Sequence, residues 1–407
     1  MKTHISLFFF SALTCFQLQA GGIQLQFQSA QTAGMGHIGY GKYWGASSLY
    51  YNPAAAAMAY RHEIEMGMGF VQAFTTYSGE YPSVYSSTMK ARAQSPFYLY
   101  ALFRPQAEQK WTAGLAINSP FGNATRWDEN WNGRFLTQIS DLSVLNVQPT
   151  FAYRLNENLA IGGGMNVYLS TLFQQRAIPI GTNNNLEGKA NLNAKGWGLG
   201  GNIGLLIRPA ERFSIGINYR TAARIRYTKG DAVFDVPQGF RRNYPNSKFE
   251  TSLYLPAVLS LGIAFHPSER EVYELDVSLN NWRKTDSIPI FYENTQLKDE
   301  KTFKNFRNAY TVKLGREQRI TDFLRWRVGA YYDVSPIRNE FVSPDLPDAN
   351  RIGITTGFGF RWQKWQLNLS GEYQFTGERA FLYKAGNFAG YYNLNAFSVG
   401  LGAKYAF

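Results

Sequence analysis

At 407 residues and a formal charge of +12, the chain is long enough for two soluble domains or for one large barrel. Its single cysteine, Cys15, lies near the start, so a disulfide framework and thiolate chemistry are both excluded for the rest of the chain. The basic balance admits nucleic acid in principle, but no concentrated basic helix carries it, so no nucleic-acid partner is expected.

Residues 1–20 read as a secretory signal: Lys2 gives a positive start, Leu7 to Phe16 is mostly apolar, and Ala20 is a small residue before a cut. Thr14 precedes Cys15, which departs from a lipoprotein signal. The next stretch, expected as a separate unit over 21–62, is glycine-rich at Gly34, Gly36, Gly39 and Gly41, too loose for a helix or strand interior. Asn52-Pro53 before Ala54 to Ala57 predicts a short helix, with Asn as its N-cap and Pro at its first position. On its own the dipeptide is a capped turn. Four alanines bury little, so this helix needs a container.

From residue 63 onward the period is two. Phe213, Ile215, Ile217 and Tyr219 alternate with Ser214, Gly216, Asn218 and Arg220. Tyr273, Leu275, Val277 and Leu279 alternate with Glu274, Asp276, Ser278 and Asn280. Trp365, Leu367 and Leu369 alternate with Gln366, Asn368 and Ser370, so one face of each strand is apolar and the other polar. Strands are expected at 63–74, 93–103, 111–118, 144–154, 159–172, 194–208, 213–227, 249–266, 272–282, 303–319, 325–334, 351–362, 365–375 and 396–407. Tight turns near Asn156, Pro209, Pro267, Thr321 and Gln363 alternate with long polar segments at 177–193, 230–248, 284–301, 335–350 and 377–393. That rhythm predicts an all-β fold, a transmembrane antiparallel β-barrel of about fourteen strands over 63–407, with both ends on the periplasmic side. No run of ~18 apolar residues suits a membrane-spanning helix. A soluble sandwich would show the same alternation with its apolar face inward. The signal, the 26 Tyr and 30 Phe that suit interfacial girdles, and the terminal Tyr405 and Phe407 favour apolar-out.

Little in the chain suggests catalysis. His37, His62 and His266 are far apart and in no metal spacing, and no G-x-S-x-G elbow occurs, so neither an enzyme, a metal nor a cofactor is expected.

Five segments in order resemble the FadL/TodX (OmpP1) family of outer-membrane transporters for long-chain fatty acids and other hydrophobic compounds. They are Asn52-Pro53-Ala54, Ser119-Pro120-Phe121-Gly122 through Trp127, Leu255-Pro256 with Trp282, Phe306 to Tyr310 with Gly315, and Ser343 to Arg351. The resemblance spans nearly the whole chain after residue 20. It implies a small N-terminal hatch inside the barrel, passive uptake of a hydrophobic small molecule, and a sideways exit through the wall. A polar-solute porin and a structural or adhesive barrel are the alternatives.

The resemblance also implies roles for residues. Asn52 and Pro53 would gate the hatch. Pro120 and Gly122 would mark a kink that opens the wall, where an ordinary bulge is the other reading. Arg176 would bind a fatty-acid carboxylate, with Lys301 or Lys304 as the second cation. Contact with lipopolysaccharide phosphates is the other reading of these cations. Asp345, Asp348 and Arg351 are expected to brace a loop by salt bridges, and Arg325, Arg327 and Asp333 to tie the lumen wall to the hatch. Expected partners are the ligand, membrane lipid and lipopolysaccharide, and the barrel assembly machinery that reads the terminal strand; a monomer is expected.

Overall fold

The computed structural model describes residues 21–90, 93–105, 109–180 and 186–407, so the signal read over 1–20 lies outside the described residues. The wall comprises β1 (Glu63–Ser78), β2 (Phe97–Phe103), β3 (Trp111–Arg126), β4 (Ile139–Asn156), β5 (Leu159–Pro179) and β6 (Glu187–Ala210). It continues with β7 (Phe213–Arg220 and Ala223–Asp235), β8 (Ser247–Leu255 and Ala257–Ser268), β9 (Glu271–Asn281) and β10 (Ala309–Arg319). β11 (Leu324–Asp333), β12 (Arg351–Trp362), β13 (Trp365–Phe375) and β14 (Phe388–Ala406) complete it. Each strand pairs antiparallel with the next, and β14 closes on β1 from Glu63–Ala406 to Ser78–Tyr391. β8 breaks at Pro256, which has no N–H to give to a ladder.

The alternation is apolar-out. In β2, Phe97, Leu99 and Phe103 are exposed while Tyr98, Tyr100 and Leu102 are buried. In β9, Leu275 and Leu279 face outward, and Glu274 and Asp276 point into the lumen. A soluble sandwich would invert this pattern, so the outer surface is built for lipid.

Most strands run longer or start elsewhere than expected; β4 starts at Ile139, β7 ends at Asp235 and β14 starts at Phe388, and three differences bear on the site. β5 and β6 run past the membrane and stay paired to Pro179–Glu187, so most of 177–193 is ladder and Arg176 lies inside a strand. Segment 284–301 holds most of a hairpin, Ser287–Tyr292 with Glu300–Phe303, whose first strand pairs with β8 at Phe249–Thr251. β10 therefore starts at Ala309 rather than at 303. β3 continues beyond 118 to Arg126 through an irregularity between Asn118 and Phe121. Local periodicity is blind to such extensions, since polar loop residues on both faces pair through backbone alone.

The glycine-rich segment fills the lumen as a plug with three short helices, α1 (Ala30–Ala33), α2 (Ser48–Tyr51) and α3 (Pro53–Ala56). Wall carboxylates accept its backbone N–H groups: Gly39 donates to Asp276 at 2.7 Å, Gly41 to Glu274 at 2.7 Å, and Ser47 to Glu65 at 3.1 Å. Wall cations answer its carbonyls, with Lys313 donating to His37 O at 3.0 Å and Arg220 to Tyr50 O at 2.8 Å. His37 meets Glu372 at 3.0 Å. The chain comes this close because the wall presents glycines: a Cβ on Gly216 would sit 1.8 Å from Tyr40 O. Gly36, with φ +70°, turns the plug backbone where a side chain would be strained.

The residues expected to tie wall to plug do something else. Arg325 and Arg327 both pair with Glu317 on the neighbouring wall strand, at 3.1 and 2.7 Å. Asp333 takes Thr311 and Arg351. These are wall-to-wall bonds between adjacent strands, and Glu65, Glu274, Asp276, Lys313 and Glu372 hold the plug instead.

Candidate ligand cavity and wall kink

Above the plug lies a cavity of about 70 Å³ whose apolar lining includes Leu142, Leu172, Leu192, Phe249, Ile290 and Phe306. Ile23, from the start of the plug, also lines it. A more polar chamber of about 130 Å³ adjoins it and shares Gln174, Leu192, Ile290, Lys304 and Asp345. Arg176, Tyr292 and Glu300 line this second chamber and also a third, of about 450 Å³, bounded by Phe135, Ile178, Phe234 and Tyr244. The three spaces therefore form a series from the outer loops to the plug, with Arg176 and Glu300 at the neck.

Two of the three cations read from the sequence come together here. Arg176 Nη2 lies 2.5 Å from Glu300 Oε1, which also accepts from the Tyr292 hydroxyl at 3.2 Å. Lys304 Nζ donates to Ser343 Oγ at 3.0 Å and to Asp345 Oδ2 at 2.8 Å. Burial pushes the Asp345 carboxyl up, but Lys304 beside it more than offsets this and holds it below the ordinary carboxylate range. Lys301 is not brought to the cavity: it is exposed and lies 4.9 Å over the Phe303 ring.

The expected loop braces hold in part. Asp345 pairs with Lys304, and Arg351 with Asp333 at 2.9 Å. Asp348 accepts instead from Ser335 Oγ at 2.7 Å and from Gly22 N at 3.3 Å, which joins the loop to the start of the plug. Burial raises the Asp348 carboxyl to about 6.

Pro120 and Gly122 stand where the wall is interrupted. The β2–β3 ladder ends at Tyr98–Asn118. Pairing with β4 skips Ser119 and Pro120. The backbone groups freed there bond inward: Leu25 N–H donates to Pro120 O at 2.9 Å, and Gly122 N–H to Ile23 O at 2.9 Å. The plug thus adds a short strand to the inner side of the kink, with Gln24 opposite Phe121. Gln28 fastens the same place, donating to Ser119 O at 3.1 Å while Asn118 donates to its side chain at 2.5 Å.

Asn52 caps α3 as expected, its Oδ1 accepting from Ala54 N at 3.1 Å with Pro53 at the first helical position. Its Nδ2 also donates to Tyr40 O at 3.0 Å and to Leu205 O on β6 at 3.1 Å. One side chain therefore joins helix, plug loop and wall.

Sequence reasoning missed Glu300, Tyr292 and Ser343 as partners of the cavity cations. The signal was thin: Glu300 adjoins Lys301, yet nothing local says that it reaches back to Arg176.

A lipid-facing barrel of fourteen strands, plugged from its own N-terminal segment and holding an apolar cavity beside a wall kink, defines an outer-membrane transport barrel. The chain matches the outer membrane protein transport protein family (OMPP1/FadL/TodX) over residues 11–407, and it belongs to that family. It resides in the outer membrane of a Gram-negative bacterium. It is 23% identical over 379 residues to the long-chain fatty acid transport protein of Salmonella typhi, covering 87% of each chain. Outer membrane protein P1 of Haemophilus influenzae is 21% identical over 397 residues, covering 86% of this chain and 85% of that one. Among solved structures, a Pseudomonas aeruginosa FadL homologue superposes with a TM-score of 0.85 at 17% identity, over 95% of this chain and 100% of that one. The toluene transporter TodX of P. putida gives 0.72 at 14% identity, over 96% and 99%. At these identities the structures speak for the fold.

Proposed function

We propose that the protein takes up hydrophobic small molecules passively across the outer membrane and releases them sideways through the kink in β3. The observation that carries this reading is the apolar cavity whose inner end is Ile23, a residue hydrogen-bonded to that kink. A ligand enters past the neck of Arg176 and Glu300, rests against Leu142, Leu172 and Phe249, and leaves when 23–25 unpairs from 120–122. Transfer of apolar carbon out of water contributes about 0.8 kcal/mol per CH₂, which drives filling of the cavity without an energy source. Relatives named for long-chain fatty acids and for toluene support the substrate class. The plugged lumen argues against an open porin, and no chemical step is part of this reading. Arg176 and Lys304 are its ligand-facing cations, Asn52 and Pro53 its hatch anchors, and exposed cations such as Lys301 its contacts with lipopolysaccharide. Assembly through the terminal strand and a monomeric state belong to the same reading.

A lock on the kink tests it. Gln24 and Phe121 face each other between flanking hydrogen bonds, a non-hydrogen-bonded pair whose Cα atoms are about 4.5 Å apart, within disulfide reach. The Q24C/F121C variant, reconstituted in vesicles, should lose uptake of a labelled hydrophobic tracer when oxidised and regain it on reduction. Undiminished uptake by the oxidised form would overturn the sideways route, and passage of sugar in place of the tracer would overturn the substrate class.

A further inference from the structure

Resting on that transport reading, we propose that the cavity selects neutral hydrophobic molecules, those with no ionised head, over carboxylates. Among the described residues, the charges lining the apolar cavity and its polar neighbour are two cations, Arg176 and Lys304, and two carboxylates, Glu300 and Asp345. They pair one to one, at 2.5 and 2.8 Å. Each cation that could receive a ligand carboxylate already holds one from the protein. The Lys304 side chain is only 4% exposed, so an incoming anion cannot reach it without displacing Asp345. A third carboxylate beside Lys304 has no counter-charge and loses its hydration, a combination that proteins avoid.

Some neutral donors are committed: Thr251 Oγ1 donates to Pro289 O at 2.6 Å and Thr285 Oγ1 to Tyr254 O at 3.1 Å. The Trp282 indole N–H is not: it is fully buried, lines the apolar cavity as a residue, and has no hydrogen-bond partner among the described residues. An indole N–H offers a hydrogen bond without a charge, so it serves the acceptor of an ester, ketone or ether but does not neutralise a carboxylate. The charge count therefore sets the preference, and the indole gives a neutral polar head one donor.

The test compares palmitate with methyl palmitate at pH 8, equal in chain and different in charge, by displacement of labelled methyl palmitate from the full barrel in nanodiscs. The wild type should prefer the ester by about tenfold or more, the worth of one uncompensated charged hydrogen bond. E300Q and D345N, each releasing one cation, should raise the affinity for palmitate relative to the ester about tenfold. W282F should weaken the ester several-fold and leave hexadecane unchanged. Heat-modifiable migration reports folding, and E300Q at the neck carries the test should D345N disturb its loop. Equal or tighter binding of palmitate by the wild type, or palmitate affinity relative to the ester unmoved in a folded E300Q, would overturn the selectivity while leaving hydrophobic transport standing. Binding of neither ligand would overturn both.

Discussion

Asn52 concentrates three bonds of the plug in one side chain, which makes it the position where the latch can be dissected. In N52A the helix cap to Ala54 N is lost, at a cost of about 1 kcal/mol. The two Nδ2 bonds, to Tyr40 O and to Leu205 O, add about 1 kcal/mol each. The sum is about 3 kcal/mol, or about 150-fold in a local opening equilibrium. N52S retains a capping hydroxyl but cannot make the other two bonds, so it should lose about 2 kcal/mol, about 30-fold. The difference between the two variants isolates the cap from the anchors. The assay is amide hydrogen exchange at Ala55 and Ala57, whose N–H groups bond to Asn52 O and Ala54 O inside the helix. Exchange there should accelerate in the order N52A, N52S, wild type, while wall amides of β9 to β13 and heat-modifiable migration stay unchanged. Equal protection in wild type and N52A would show that packing of Ala54 to Ala57 holds the helix by itself, and the latch argument would fall.

Two further outcomes follow from the same contacts. G216A should displace the plug at a cost of about 3 kcal/mol or more, because its Cβ would lie 1.8 Å from Tyr40 O; G371A, with nothing within 4 Å, should be neutral. Trypsin sensitivity at Lys42 and Arg61 in folded barrels distinguishes the two, and resistance of both would refute the close approach. The loop around Asp348 should respond to pH with an unusual sign. Its carboxyl titrates at about 6, above the ordinary 3.8, so the folded loop binds a proton more tightly than the unfolded chain does. The stabilisation is therefore complete below about pH 4 and lost as pH rises through 6, at most about 3 kcal/mol. Amide protection of 335–350, corrected for intrinsic exchange, should rise from pH 7.5 to 5 in the wild type and not in D348N.

The strands were legible because lipid on one side and a polar plug on the other impose a strict period of two, and Leu275 beside Asp276 already carries that contrast. Asn52-Pro53 was legible because capping is local. The irregular pairing at Pro120 was legible for a related reason, since proline cannot serve a ladder. What was not legible depends on pairing across distance. Arg176 and Glu300 lie 124 positions apart, and only the closed barrel brings the hairpin Ser287–Tyr292 and Glu300–Phe303 over the mouth of β5. Arg325 and Arg327 share the polar face with residues that do touch the plug, and sequence does not say which lumen charges find a neighbour on the adjacent strand first.

Two of the segments that carried the family resemblance prove to be one physical unit. The Asp345 carbonyl accepts from Asn123 Nδ2 at 2.7 Å and from Thr125 Oγ1 at 3.1 Å, and Trp127 Nε1 donates to Pro344 O at 3.0 Å. The loop from Ser343 to Arg351 is thus laced to the stretch of β3 just past the kink, while its Asp348 holds Gly22 of the plug and its Asp345 holds Lys304 of the cavity. Under the proposed route, a ligand that moves Lys304 would act on the backbone beside the irregular pairing of β3 and on the plug segment hydrogen-bonded to it. The coupling needs no long pathway: cavity, kink and plug meet in a loop of nine residues, and each contact is a hydrogen bond that a single substitution can remove.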